Sequence, residues 1–180
     1  MRVLGLDPGS RRTGFGVVER SGNTLRAIAH GVVQPRAKLE LPQRLHEIAS
    51  RIGEEIDRHT PDCVVVEEAF YHESVRSTLV LGHVRGALLV IAVQRGVAVA
   101  EYSPREIKLS VTGSGGADKT QVAFMVKRML VLRGDLKPDA ADALAAAICH
   151  LNKVRLTAPA RAASAAAERL QALLARRGAR

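Results

Sequence analysis

The chain has no tryptophan, two tyrosines and three phenylalanines among its 180 residues. A core built on aromatic rings is therefore excluded, and two rings standing side by side need a reason. Its two cysteines, Cys63 and Cys149, are too few for a disulfide framework. Both lie in apolar runs, which fits reduced core thiols of a cytoplasmic protein. No uncharged apolar run reaches about 18 residues, so no membrane partner is expected. The opening "MRVLGLD" enters a strand-like pattern without a signal-peptide layout. Acid is also scarce, with 18 Asp and Glu against 27 Lys and Arg, a formal net charge of +9.

That excess is uneven. Residues 1–150 hold 20 Lys and Arg against 17 Asp and Glu, whereas residues 151–180 hold 7 against 1. The length suits one domain with a proper core. The expected division is therefore a folded unit over 1–152 and a basic Ala/Arg-rich tail over 153–180, flexible or partly helical. The tail reads as a solvated appendage, with nucleic-acid contact as the alternative.

"RVLGLDPG" (2–9), "TGFGVVER" (13–20) and "LRAIAHGVVQP" (25–35) read as three strands with short links, an antiparallel meander. "LPQRLHEIASRIGEEIDRH" (41–59) places apolar residues at 41, 45, 48, 52 and 56, one face of a helix. "CVVVEE" (63–68) has the continuous apolar character of a strand covered on both sides. A helix over 74–95 and a strand over 96–102 follow. Ser103 and Pro104 then mark a helix start, and two more helices fall near 118–132 and 139–151. A meander followed by α/β units predicts an α/β fold, a mixed sheet flanked by helices.

Asp7 ends the first strand and Glu67 the fourth. If those strands are parallel neighbours, both carboxylates emerge beyond the strands' carboxyl ends, where open α/β sheets carry their sites. Alternation puts Cys63, Val65 and Glu67 on one face and Val64, Val66 and Glu68 on the other, so only one glutamate can join Asp7. Asp139 and Asp142 in "KPDAADALAAAICH" (137–150) are three apart, hence on one helix face. Capping alone accounts for Asp139. It does not account for Asp142, which sits among alanines that mark a closely packed helix. Two carboxylates about 4 Å apart repel by roughly 4 kcal/mol at an effective dielectric of 20. A converging set therefore needs a counter-cation. Acids without His or Cys favour Mg²⁺ or Mn²⁺, and paired ions are a recurrent device for phosphodiester hydrolysis.

"GLDPGSRRTGFGVV", "VVVEEAF", "LGHVRGAL", "EYSPREIKLSVTGSGGADKTQV" and "PDAADALAAAICH" together resemble the bacterial Holliday junction resolvase family RuvC, over residues 1–151. The resemblance implies a ribonuclease-H-like fold with a five-stranded mixed sheet. It also implies a homodimeric Mg²⁺-dependent endonuclease, with two ions per site. Such an enzyme resolves four-way junction DNA by paired symmetric nicks in recombination and repair. It implies Asp7, Glu67, Asp139 and Asp142 as catalytic and metal-binding residues, and the branch-migration proteins RuvA and RuvB as partners. Some members resemble this pattern with His at the first helical place. Asp139 thus stays open between metal ligand and proton carrier.

Phe70 and Tyr71 follow the acidic strand directly. They read either as core residues or as a stacking platform, since ring–base stacking contributes about 1–3 kcal/mol per base. The resemblance favours Phe70 as the wedge. Arg76 reads equally as a phosphate contact and as a solvated arginine. "VTGSGGADKT" (111–120) nearly spells a P-loop, but Asp118 stands where glycine is required and would repel a triphosphate. A DNA clamp ending in Lys119 suits it better. By resemblance Lys108 and Lys119 face DNA, with surface lysines as the alternative. "GHVRG" (82–86) places small residues four apart on a helix, by resemblance the dimer helix. The six histidines show no metal-ligand spacing. Two rival readings stand beside the nuclease. One is an actin-like ATPase or sugar-kinase domain, because "LDPGSRRTG" also resembles that phosphate-binding hairpin. The other is a non-catalytic junction-binding scaffold.

Overall fold

The computed structural model describes residues 1–68 and 74–155. Phe70, Tyr71 and all but the first three residues of the expected tail lie outside them. Five strands form one sheet: β1 (Arg2–Asp7), β2 (Thr13–Ser21), β3 (Thr24–Val33), β4 (Cys63–Glu67) and β5 (Ala98–Tyr102). Their order is β3-β2-β1-β4-β5. β1 pairs antiparallel with β2, and β2 with β3, as the short links demanded. β1 is parallel to β4, and β4 to β5, so the sheet is mixed. The helices are α1 (Leu41–His59), α2 (Val75–Gln94), α3 (Pro104–Thr112), α4 (Lys119–Met129) and α5, residues 138–155.

Alternation along β1 and β4 divides the core into two layers. Leu4, Leu6, Val64 and Val66 meet Ile48, Ile52 and Ile56 of α1 and Val84 and Leu88 of α2. Val3, Cys63 and Val65 meet Ile107 of α3, Val122 of α4 and a long run of α5. Both cysteines are free and buried, as their apolar surroundings imply. β1 and β4 are central and covered on both faces, which explains their unbroken apolar runs.

Local chemistry sets the helix ends. Ser103 caps α3, with its hydroxyl accepting from the Glu106 amide and Glu106 accepting in return from the Ser103 amide. Gly113 ends α3 in the left-handed region at φ 78. Asp118 then caps α4, accepting from the Gln121 amide. The residue that spoils the P-loop pattern is thus a helix cap, and the glycine-rich stretch is a connector between two helices. Among the described residues α2 is the one helix long and apolar enough to span a membrane by composition. Val84, Leu88 and Ala92 bury one side of it in the core, and Arg85 near its middle pairs with Glu101 of β5.

α5 is buried on nearly every side, from Ala140 through Leu151. It lies almost on the backbone of β1 and β2. A Cβ on Gly5 would come 1.9 Å from the Ala143 carbonyl oxygen, and one on Gly14 would come 2.0 Å from that of Asp139. Hydrogen at these positions is what lets the helix approach. α5 continues past the expected boundary at 152. Lys153 bonds to Glu106, and Asn152 accepts from Arg20 and donates to Ser110.

Candidate active site

The parallel pairing Leu6↔Val66 brings Asp7 and Glu67 out at neighbouring strand ends. Both lie on the face that carries α5, because Asp7 continues the Val3 side and Glu67 the Val65 side. The glycine-mediated approach of α5 then delivers Asp142 to the same place. Asp7, Glu67 and Asp142 all line one open cleft of about 1030 Å³. Asp139, at the second position of α5, is not among the lining residues.

The electrostatics report the same gathering. Burial, the charges of Asp142 and Glu67, and last that of Asp139 push the Asp7 carboxyl up to about 7, with Lys119 opposing. Burial and Asp142 likewise raise Glu67, while Lys119 and Lys108 pull it back. Lys119 Nζ donates to Asp142 Oδ2 at 3.2 Å, and this contact holds Lys119 above the ordinary lysine range. Three acids from β1, β4 and α5 thus share one field, with Asp139 at its edge.

Such a donor set, all carboxylate, with Asp7 and Glu67 raised by burial and by their acidic neighbours, fits a hard divalent cation. Among the described residues, no three Asp, Glu, His or Cys side chains stand close enough to form a finished metal cage. The carboxylates would have to converge and Asp142 to release Lys119.

Five Lys and Arg side chains line the cleft beside its acids. Lys108 on α3 and Lys119 on α4 line one side, and Arg76 at the start of α2 lines another. The structure therefore places these three in the same cleft as the acids. Arg11 and Arg44 also line the cleft, and sequence reasoning passed over both. Arg11 lies in the tight β1–β2 link, where the Thr13 hydroxyl donates to the Gly9 carbonyl. Arg44 sits one turn before Ile48 on α1. The arginine on the turn that precedes the buried Ile48–Ile52–Ile56 stripe was the available signal.

A mixed sheet in this order, with acids at the ends of β1 and β4 and on a covering helix, defines a ribonuclease-H-like nuclease architecture. The family profile described as Crossover junction endodeoxyribonuclease RuvC matches residues 3–150. A relative of that name from Hyphomonas neptunium is 49% identical over 156 residues, 87% of this chain and 93% of its own. One from Caulobacter vibrioides is 48% identical, over 84% of this chain and 89% of its own. Among solved structures, Thermus thermophilus RuvC in complex with Holliday junction substrate superposes with a TM-score of 0.82 at 35% identity. That match covers 87% of this chain and 96% of the other. The yeast mitochondrial Holliday junction resolvase Ydc2, at 13% identity and a TM-score of 0.62, shares the fold. The chain belongs to the RuvC family of crossover junction endodeoxyribonucleases.

Proposed function

We propose that this protein resolves Holliday junctions, acting as a homodimer that nicks two symmetric strands of a four-way DNA junction with Mg²⁺. Family membership supplies the reaction class. The observation that carries the site assignment is that Asp7, Glu67 and Asp142, from three elements far apart in sequence, line one cleft together with five Lys and Arg side chains.

Asp7, Glu67 and Asp142 would hold the ions, two per site, with Asp139 completing the set from the edge or carrying a proton. Divalent ions bound there supply an activated water and charge neutralisation on the leaving oxygen. Lys108, Lys119 and Arg76 hold backbone phosphates and so set the register of the strand without reading its sequence. Phe70 and Tyr71, which follow β4 in the chain, would stack on an unpaired junction base.

Support for the dimer comes from α2. Val75, Leu79, Val90 and Val93 are 62%, 61%, 55% and 67% exposed. With Gly82 and Gly86 between them they form one stripe at helical spacing, and a Cβ on either glycine would meet nothing within 4 Å. An apolar stripe with a glycine centre suits a second copy of the same helix. Two-fold symmetry then presents two clefts to two equivalent junction strands. RuvA and RuvB are assigned as partners through the family alone.

End-labelled four-way junction incubated with and without Mg²⁺ tests this reading. Two symmetric nicks that need the ion and can be religated are expected. Equal cutting of plain duplex, or none with either Mg²⁺ or Mn²⁺, would contradict it.

A further inference from the structure

Three arginines bury an Nε that, among the described residues, has no hydrogen-bond partner: Arg20, Arg44 and Arg85. Two of them have other partners. Arg20 donates through a terminal nitrogen to Asn152, at 2.7 Å, and Arg85 pairs with Glu101. Arg44 stands apart. Among the described residues its guanidinium makes no hydrogen bond or ion pair, although Glu40 and Glu68 line the same cleft.

A buried donor without an acceptor costs roughly 1–3 kcal/mol. Arginine is also the side chain whose planar fork matches two oxygens of one phosphate. Its placement adds to this. Lys108 and Lys119 come from the helical layer of α3, α4 and α5, on one side of the sheet. Arg44 comes from α1, in the opposite layer with α2. The carboxylates at the ends of β1 and β4 lie on the α5 face, and the cleft reaches past them to α1. A strand held at the acids and gripped by the two lysines would meet, where the cleft extends towards α1, the guanidinium of Arg44.

We propose that Arg44 is a phosphate-binding residue of the cleft, taking a backbone phosphate of the DNA strand on the α1 side, beside the one that is cut. This inference rests on the reading of the cleft as the nuclease site. Removing one cation that neutralises a phosphate lowers the slope of log affinity against log salt by about one.

The test is junction binding by full-length Arg44→Gln and Arg44→Met across a salt series without Mg²⁺, beside the wild type. We expect a slope smaller by about one per cleft, affinity lower several-fold at low salt, and a melting temperature no lower than that of the wild type. Wild-type slope and affinity in either folded variant overturn the assignment. Arg44→Met keeps an apolar stem in place, so it reads the charge alone if the glutamine variant fails to fold. Failure of the wild type to bind junctions would instead sink the nuclease reading itself.

Discussion

Lys119 Nζ lies 3.2 Å from Asp142 Oδ2, so the charge of the acid cluster is answered by an ammonium group of the protein itself. The lysine side chain is 81% exposed and the aspartate 19%, which makes Lys119 the movable partner. A divalent cation at Asp142 has to displace it, and the two cations compete for one carboxylate. Lys119→Ala is accordingly expected to bind Mn²⁺ several-fold more tightly in the absence of DNA, while cutting junctions more slowly. Calorimetric titration with Mn²⁺ checks the first part, and weaker metal binding by the variant would contradict it.

The raised Asp7 carboxyl predicts how stability depends on pH. Its folded value of about 7 stands above the ordinary 3.8, so between those values the folded chain holds a proton that the unfolded chain has lost. Stability of the metal-free protein therefore falls as pH rises from about 4 to about 7, by at most about 4 kcal/mol from this group. Asp7→Asn should flatten that decline, and Mg²⁺ should oppose it in the wild type. Thermal unfolding across the pH range, with and without Mg²⁺, measures both effects.

Gly14→Ala should disturb the site without touching a carboxylate. The added methyl would meet the Asp139 carbonyl oxygen at 2.0 Å and push the start of α5 off the sheet. Overpacking of this kind costs about 1–3 kcal/mol. The variant should melt several degrees lower and cut junctions poorly. Gly116→Ala, whose Cβ would come no nearer than 4.0 Å to Ser114 Oγ, is the control and should change little.

Much of this architecture was legible beforehand. The short links announced the meander, the 41–59 periodicity announced α1, and unbroken valines announced a strand covered on both faces. Asp142 stood out because a lone acid interrupts a run of alanines that the structure buries. Other features were hidden for physical reasons. Gly5 and Gly14 read as ordinary strand residues until α5 is seen lying against them, a tertiary contact no local pattern encodes. Arg44 belongs to a helix whose periodicity was already explained by its apolar face. Its position in the cleft depends on how α1 is laid against the sheet. Asp118 looked like a defective P-loop glycine because the cap it provides appears only once α4 exists.

The stripe on α2 predicts the oligomeric state. Leu79→Glu places a charge in its middle at a site that is 61% exposed in the single chain, so the fold should survive. Sedimentation should show a dimer for the wild type and a monomer for the variant, with paired nicks reduced to unlinked ones. A wild type that sediments as a monomer at micromolar concentration would remove the basis for symmetric cutting.

The central claim is that the acids at the ends of β1 and β4 perform the chemistry and are not needed to recognise DNA. Junction binding and junction cleavage measured together for Asp7→Asn and Glu67→Gln test it most directly. Both variants should bind with close to wild-type affinity while cleavage falls by at least about a hundredfold. Wild-type cleavage by either variant would contradict the account.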